Sequence, residues 1–119
     1  MMKYLLGFIA ITALSGCVTP LSQSNLYWGN YSQTLYQVKK NPGEASNSEH
    51  EKELLSIVEQ SKKRNLNVPP GVYAELGLFA MDRADSAAAI NFFRMEQATY
   101  PEGSVLMERI LEAEADNKL

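Results

Sequence analysis

The 119-residue sequence contains one cysteine and one histidine. A single cysteine excludes a disulfide within the chain. A single histidine excludes a multi-histidine metal site and argues against a histidine-containing catalytic triad. The one long apolar run, residues 4–14, spans about 11 residues, whereas a membrane helix needs about 20. No segment shows the alternation of a half-buried strand. We therefore expect a small helical protein that is not an enzyme and has no metal and no cofactor.

The net charge is −3, and it becomes more negative if Lys3 is removed with a leader peptide. Nucleic-acid-binding domains carry a basic face that neutralises phosphates. An acidic domain of this size therefore argues against a nucleic-acid partner.

The start of the chain has the features of an export signal. Lys3 precedes the apolar run, and Leu14-Ser15-Gly16-Cys17 follows in the pattern read by bacterial lipoprotein processing. We predict a signal peptide over residues 1–16, cleavage before Cys17, and a lipidated (palmitate-bearing) Cys17. The alternative is a buried N-terminal helix with a structural cysteine.

Residues 17–25 are predicted to form the lipidated cysteine and a polar tether, and residues 26–119 the helical domain. The eight residues after Cys17 reach at most about 26 Å when extended, so the domain would stay close to the membrane. In resemblance to lipoproteins of bacteria with two membranes, Val18 in place of aspartate after the cysteine favours the periplasmic face of the outer membrane.

Five helices follow from apolar spacing and breaks. The first is predicted over residues 26–38, and Asn41-Pro42-Gly43 ends it. Capping-box patterns predict that the second starts at Ser46 or Ser48. The other signals are Pro69 and Pro70 before a third helix ending near Arg83, Asp85 or Ser86 as the cap of a fourth, and Pro101-Glu102-Gly103 before a fifth.

Apolar stripes predict which faces are buried. The second helix would bury Leu54, Leu55, Ile57 and Val58, and the fifth would bury Val105, Leu106, Met107, Ile110 and Leu111. Glu96 is expected to lie inward through its aliphatic stem. His50, flanked by Glu49 and Glu51 near a helix start, is expected to be solvated.

The third and fourth helices match the spacing of a tetratricopeptide repeat at seven positions: Tyr73, Leu76, Gly77, Ala80, Ala89, Phe93 and Pro101. Gly77 and Ala89 would allow the helices to cross closely, and Tyr73 and Phe93 would fill the space beside them. The predicted fold is therefore all-α, a short tetratricopeptide-like solenoid of two helix pairs plus a C-terminal capping helix. The alternative is an ordinary helical hairpin with the same spacing.

The lipoprotein signal, Tyr27-Trp28-Gly29 and the tetratricopeptide-like second half together resemble a family of small Gram-negative outer-membrane lipoproteins of uncharacterised function. The resemblance implies a location beside other outer-membrane lipoproteins, including ones similar to the curli secretion channel. It implies no catalytic residues.

In the repeat register, Tyr36, Leu78, Met81 and Asp82 are predicted to line a partner-binding groove. We therefore expect an adaptor or assembly subunit of an envelope complex, held to the membrane by its lipid. A structural envelope lipoprotein that contacts peptidoglycan or self-associates into an oligomer is the alternative.

Replacing Cys17 with Ser tests the anchor. We expect an unprocessed precursor or release into the periplasm, because each buried methylene contributes about 0.8 kcal/mol of membrane affinity and the whole lipid is lost. Cell fractionation and the mass of the product measure this. Normal processing with the variant still in the outer membrane contradicts the prediction.

Overall fold

A computed structural model describes residues 25–116, and the predicted signal peptide, Cys17 and nearly all of the tether lie outside this range. Every regular element of the described residues is helical, so the domain is all-α. The helices are α1 (Tyr31–Lys40), α2 (Glu44–Lys63), α3 (Val72–Asp82), α4 (Ser86–Thr99) and α5 (Ser104–Asp116), and a 3₁₀ turn over Pro101–Gly103 joins the last two. No described helix has the length and apolar content needed to cross a membrane.

Each helix packs against the next one along the chain, and the contact between α3 and α4 is the most extensive. Two clusters of buried side chains form the core. The first joins α2 to α3 and the segment before it, and consists of Leu54, Ile57, Val68, Val72, Tyr73 and Leu76. The second joins α3, α4 and α5 through Ala80, Ala89, Phe93 and Met107.

The crossing of α3 and α4 confirms the predicted use of small residues. A Cβ atom at position 77 would lie 2.7 Å from Phe93 Cδ1 and 2.8 Å from Cζ, so only glycine fits beneath this ring. Phe93 and Ala89 are fully buried on the opposing helix. Close packing here leaves no space for a larger side chain.

Several helix ends and one buried carboxylate also agree with the sequence. The Asp85 side chain caps α4 by accepting the Ala88 backbone N–H at 3.1 Å, as predicted. Glu96 is buried, and its Oε1 accepts the Gly71 N–H at the start of α3 at 2.8 Å. The inward position expected for Glu96 is thus confirmed, and its carboxylate holds the neighbouring helix by its N-terminus.

The starts of α1 and α2 differ from the prediction. α1 begins at Tyr31, because Gly29 adopts a left-handed φ of +47° and a turn with Tyr31 N–H bonded to the Trp28 carbonyl precedes the helix. α2 begins at Glu44, so the connection from α1 is only three residues long. The Ser46 hydroxyl donates to the carbonyls of Asn41 and Gly43, and therefore caps no N–H group.

Three residues of the predicted stripes are exposed. Leu55 is 48% exposed, Val105 62% and Leu106 60%. α5 contacts the rest of the domain only through the face that carries Met107, with Ile110 and Leu111 partly buried beside it. A consecutive apolar run on a helix packed on one side cannot be buried as a whole.

Overpacking tests the α3–α4 crossing. We expect Gly77→Ala and Ala89→Leu each to lower the free energy of unfolding by about 1–3 kcal/mol, because the added atoms enter the space of the Phe93 ring or its surroundings. Ala87→Leu, at an exposed position of the same helix, is the matched control and should change stability by about 0.5 kcal/mol or less. Equal thermal melts for Ala87→Leu and Ala89→Leu contradict this packing.

Candidate functional site

A groove opens where α1, α2 and α3 meet. Its volume is about 240 Å³, and it has apolar walls and a polar base and end. Leu35 and Val38 come from α1, Leu78 and Phe79 from α3, and the polar lining consists of Asn47, His50, Glu75 and Asp82. Leu78 is 50% exposed although it is a large apolar side chain.

A second, larger cavity of about 510 Å³ continues from the groove and shares Asn47, Phe79 and Asp82 with it. Its remaining lining lies at the start of α2 and the end of α3. There the Arg83 guanidinium Nη1 lies 2.6 Å from Glu51 Oε1, which ties the end of α3 to α2. Together the two cavities form a continuous open surface across α2 and α3.

His50 lies at the base of the groove and is only 2% exposed, so the prediction of a solvated histidine is wrong. Its Nδ1 lies 2.7 Å from the Thr34 hydroxyl of α1, and its Nε2 lies 2.9 Å from Glu75 Oε2 of α3. The Tyr31 hydroxyl donates to the other oxygen of Glu75. One buried imidazole on α2 is therefore hydrogen-bonded to both neighbouring helices.

Hydrogen-bond chemistry assigns one proton of this network when Glu75 is ionised. An ionised carboxylate only accepts hydrogen bonds, so the His50 Nε2 carries the hydrogen shared with Glu75. The Thr34 hydroxyl lies 2.7 Å from Nδ1 and 3.1 Å from the Tyr31 carbonyl. Thr34 can donate to a neutral imidazole, or it can donate to the carbonyl and accept from an imidazolium. Both states leave every member hydrogen-bonded, which a buried polar network requires.

Partial burial, the hydrogen bond to Glu75 and the charge of that carboxylate raise the pKa of Tyr31 to about 12. Aromatic rings surround the network: the ring centroid of Tyr31 is 5.1 Å from that of Trp28 and 5.3 Å from that of His50. The Phe79 ring packs edge-on to His50 at 6.3 Å. These rings help to enclose the imidazole of His50, which is only 2% exposed.

The Tyr27-Trp28-Gly29 segment has a structural role beside this site. Glu53 of α2 accepts the Asn30 N–H at 2.8 Å, and its carboxylate lies where a side chain at Gly29 would point. The Arg64 guanidinium stacks on the Tyr27 ring at 4.3 Å. The segment thus fixes the start of α1, and with it Tyr31 and Thr34, against α2.

The structure separates the four residues predicted to bind a partner. Leu78 and Asp82 line the groove together. Tyr36 is 58% exposed on α1, outside the groove lining, and Lys40 lies over its ring at 5.7 Å. Met81 packs against the second core cluster. Partner binding stays a prediction for this set, and Leu78 and Asp82 are the two members that share the groove.

The sequence reasoning missed His50 and Glu75 as parts of the groove and did not assign Leu35 and Val38 to it. Leu35 and Val38 carried a signal, because they lie on the apolar face of α1 facing α3. His50 and Glu75 carried none, because a polar residue is recognised as buried only once its partners are known, and these are 25 residues apart.

A third cavity, of about 340 Å³, lies between α1 and α2 and is lined entirely by polar side chains: Asn30, Gln33, Thr34, Glu49, Lys52 and Glu53. It lacks the apolar walls that are typical of ligand-binding pockets. Across residues 25–116, no group of three or more His, Cys, Asp and Glu side chains is placed to hold a metal ion.

The described residues thus define an all-helical domain with a partly apolar groove between its first three helices. The chain belongs to the family described as Domain of unknown function (DUF4810), whose model matches residues 26–110. The match covers all of α1 to α4 and about half of α5. No curated protein and no solved structure matches the chain.

Replacing Tyr31 with Phe tests the network. At neutral pH we expect the free energy of unfolding to fall by about 1.5–3 kcal/mol, because a hydrogen bond to a charged group is lost. The difference between wild type and variant should then shrink as the pH rises from 10 to about 12. The unfolded tyrosine ionises near pH 10, while the folded one stays protonated up to about 12, so the wild type loses its advantage over this range.

Urea unfolding at a series of pH values measures this difference. Burial and, secondarily, the charge of Glu96 also raise the pKa of Tyr73 and Tyr100, but these residues are present in both proteins and cancel. Tyr36→Phe, on the exposed face of the same helix, is the control and should stay within about 0.5 kcal/mol of wild type. A Tyr31→Phe difference that does not change above pH 10 contradicts the assignment.

Proposed function

We propose that this protein is a lipid-anchored adaptor at the periplasmic face of the outer membrane and that it binds another envelope protein through the groove between α1, α2 and α3. The observation that supports this most directly is the open groove with apolar walls, at whose edge Leu78 exposes half of its surface. Exposed apolar surface in a concave, polar-edged site is typical of a protein-binding surface.

The membrane location rests on the lipoprotein pattern that ends at Cys17 and on Val18 after it. With a tether of eight residues, the start of α1 stays within a few tens of ångströms of the membrane surface. The partner would then be a protein that is itself in or near the outer membrane. The family resemblance suggests lipoproteins similar to the curli secretion channel as candidates.

The arrangement of helices supports a tetratricopeptide-like solenoid as the scaffold. The hairpins α1–α2 and α3–α4 follow one another, and α5 packs on α4 as a cap. Gly77, Ala89 and Phe93 occupy the α3–α4 crossing as the repeat pattern requires. In such solenoids the first helix of each pair lines the concave surface, and here α1 and α3 supply the apolar walls of the groove.

Binding explains the groove better than catalysis does. Thr34 is only 8% exposed, and its hydroxyl is within hydrogen-bonding distance of the Asn30 and Tyr31 carbonyls, so it is poorly placed as a nucleophile. His50 is enclosed by Thr34, Glu75 and two aromatic rings. The network therefore positions the groove walls, and we propose no chemical step for it.

Self-association is the second candidate function, and one observation favours it. Val105 and Leu106 are exposed side by side on α5, at the end of the domain away from α1. A second copy that covered this pair would make the protein an oligomer with a structural role in the envelope. This interface would be separate from the groove.

Photo-crosslinking in intact cells tests the proposal. p-Benzoylphenylalanine is placed at Leu78, at Leu55 or at Leu106 of the full chain. Because Leu78 lies in the groove and Leu55 is equally exposed on α2 outside the groove lining, we expect discrete adducts with an outer-membrane protein from position 78 and none from position 55. Adducts from position 78 should disappear when Cys17 is replaced by Ser, because the anchor brings the partner within reach.

Equal adducts from positions 78 and 55, or none from position 78, contradict the adaptor function. Adducts at twice the mass of the protein from position 106, without adducts at position 78, indicate the structural alternative.

A further inference from the structure

The groove lining contains acidic residues and no lysine or arginine. The acidic residues are Glu75 and Asp82. In the adjoining cavity the one cation, Arg83, is paired with Glu51. Asp82 and Glu44 make no ion pair with any other residue of the described range. An occupant of the groove therefore meets an acidic surface with an unused carboxylate.

The two carboxylates lie at the base and at one end of the groove, and we call the apolar part between them the slot. Glu75 lies at the base, held by Tyr31 and His50, and its side chain is 28% exposed. Asp82 lies on the same helix two turns later, at the exposed end of α3. Leu35 and Val38 on one side and Leu78 and Phe79 on the other form the walls between them.

We propose that this slot receives a lysine or arginine side chain of the partner protein. Both side chains pack their aliphatic stems on apolar surfaces and keep the charged end in a polar environment. The stem would lie between the leucine, valine and phenylalanine walls, and the cationic end would reach Asp82, with Glu75 adding to the negative potential behind it. The Phe79 ring in the same slot supplies a favourable face for a cation.

The size of the slot favours a single long side chain. Without the adjoining cavity, the groove has a volume of about 240 Å³, which is smaller than the roughly 300–1,000 Å³ of pockets that enclose whole small molecules. The exposed Leu78 at its edge would contact an apolar residue of the partner beside the cation. The predicted partner segment is thus a basic residue flanked by apolar ones. This inference rests on the proposed function, because it takes a protein segment as the occupant.

Selection from a phage library of random 16-residue peptides tests the inference, with the processed lipoprotein in detergent micelles as the target. We expect enrichment of lysine or arginine next to apolar residues. The enrichment should be lost with Asp82→Asn and kept with Glu112→Gln, an exposed carboxylate of α5 outside the groove lining whose removal changes the net charge equally. Circular dichroism melts check that each variant is folded.

A double-mutant cycle then measures the coupling. In fluorescence anisotropy, Asp82→Asn and replacement of the peptide lysine by norleucine should each weaken the best peptide about tenfold, and both changes together should weaken it no further. Raising the ionic strength should weaken the wild-type complex more than the Asp82→Asn complex, because only the former contains the ion pair with Asp82.

Two results overturn the inference. Enriched peptides without lysine or arginine show that the groove binds an apolar segment without a cation, and additive effects in the cycle show that the peptide cation does not interact with Asp82. In either case adducts from position 78 in cells still support the adaptor function. Failure to enrich any peptide, combined with no adduct at position 78, removes both the inference and the proposed function.

Discussion

The hydrogen bonds of one buried imidazole hold together the three helices that form the groove. His50 joins Thr34 of α1 to Glu75 of α3, across 16 and 25 residues of sequence. A buried polar group costs free energy unless it is hydrogen-bonded, and this network satisfies both nitrogens. It therefore selects one arrangement of α1 on α2 and α3, in which the apolar walls face each other across an opening.

In the second half of the domain, the packing of α3 against α4 depends on close steric fit. Gly77 lets Phe93 lie against the α3 backbone, and Glu96 binds the N–H at the start of α3 from the neighbouring helix. The other oxygen of Glu96 is buried without a hydrogen-bond partner among the described residues, and an unsatisfied buried polar atom lowers stability. The domain thus combines a closely packed hairpin, α3–α4, with a more polar and more open one, α1–α2, and the groove lies at their junction.

Local sequence patterns predicted the α3–α4 hairpin well and the α1–α2 hairpin poorly. Gly77, Ala89 and the Asp85 cap are set by neighbours within one hairpin, so spacing alone indicates them. The burial of His50 depends on partners on two other helices, and no local signal contains this information. Val105 and Leu106 were expected in the core because they are apolar, but α5 packs mainly on α4 and does so through the face that carries Met107. The site could therefore be placed on α3 from the sequence, while its base could not.

The point where the chain enters the domain has a mechanical consequence. Tyr27 is covered by Arg64 from the end of α2, and the Asn30 N–H is bonded to Glu53 in the middle of that helix. A pull on the chain ahead of Tyr27 is thus shared between α1 and the 20-residue α2 before it reaches the Thr34–His50 bond. If the protein is tethered as proposed, a force between the membrane anchor and a bound partner would act on both α1 and α2. Such a force would therefore not separate α1 from the groove first.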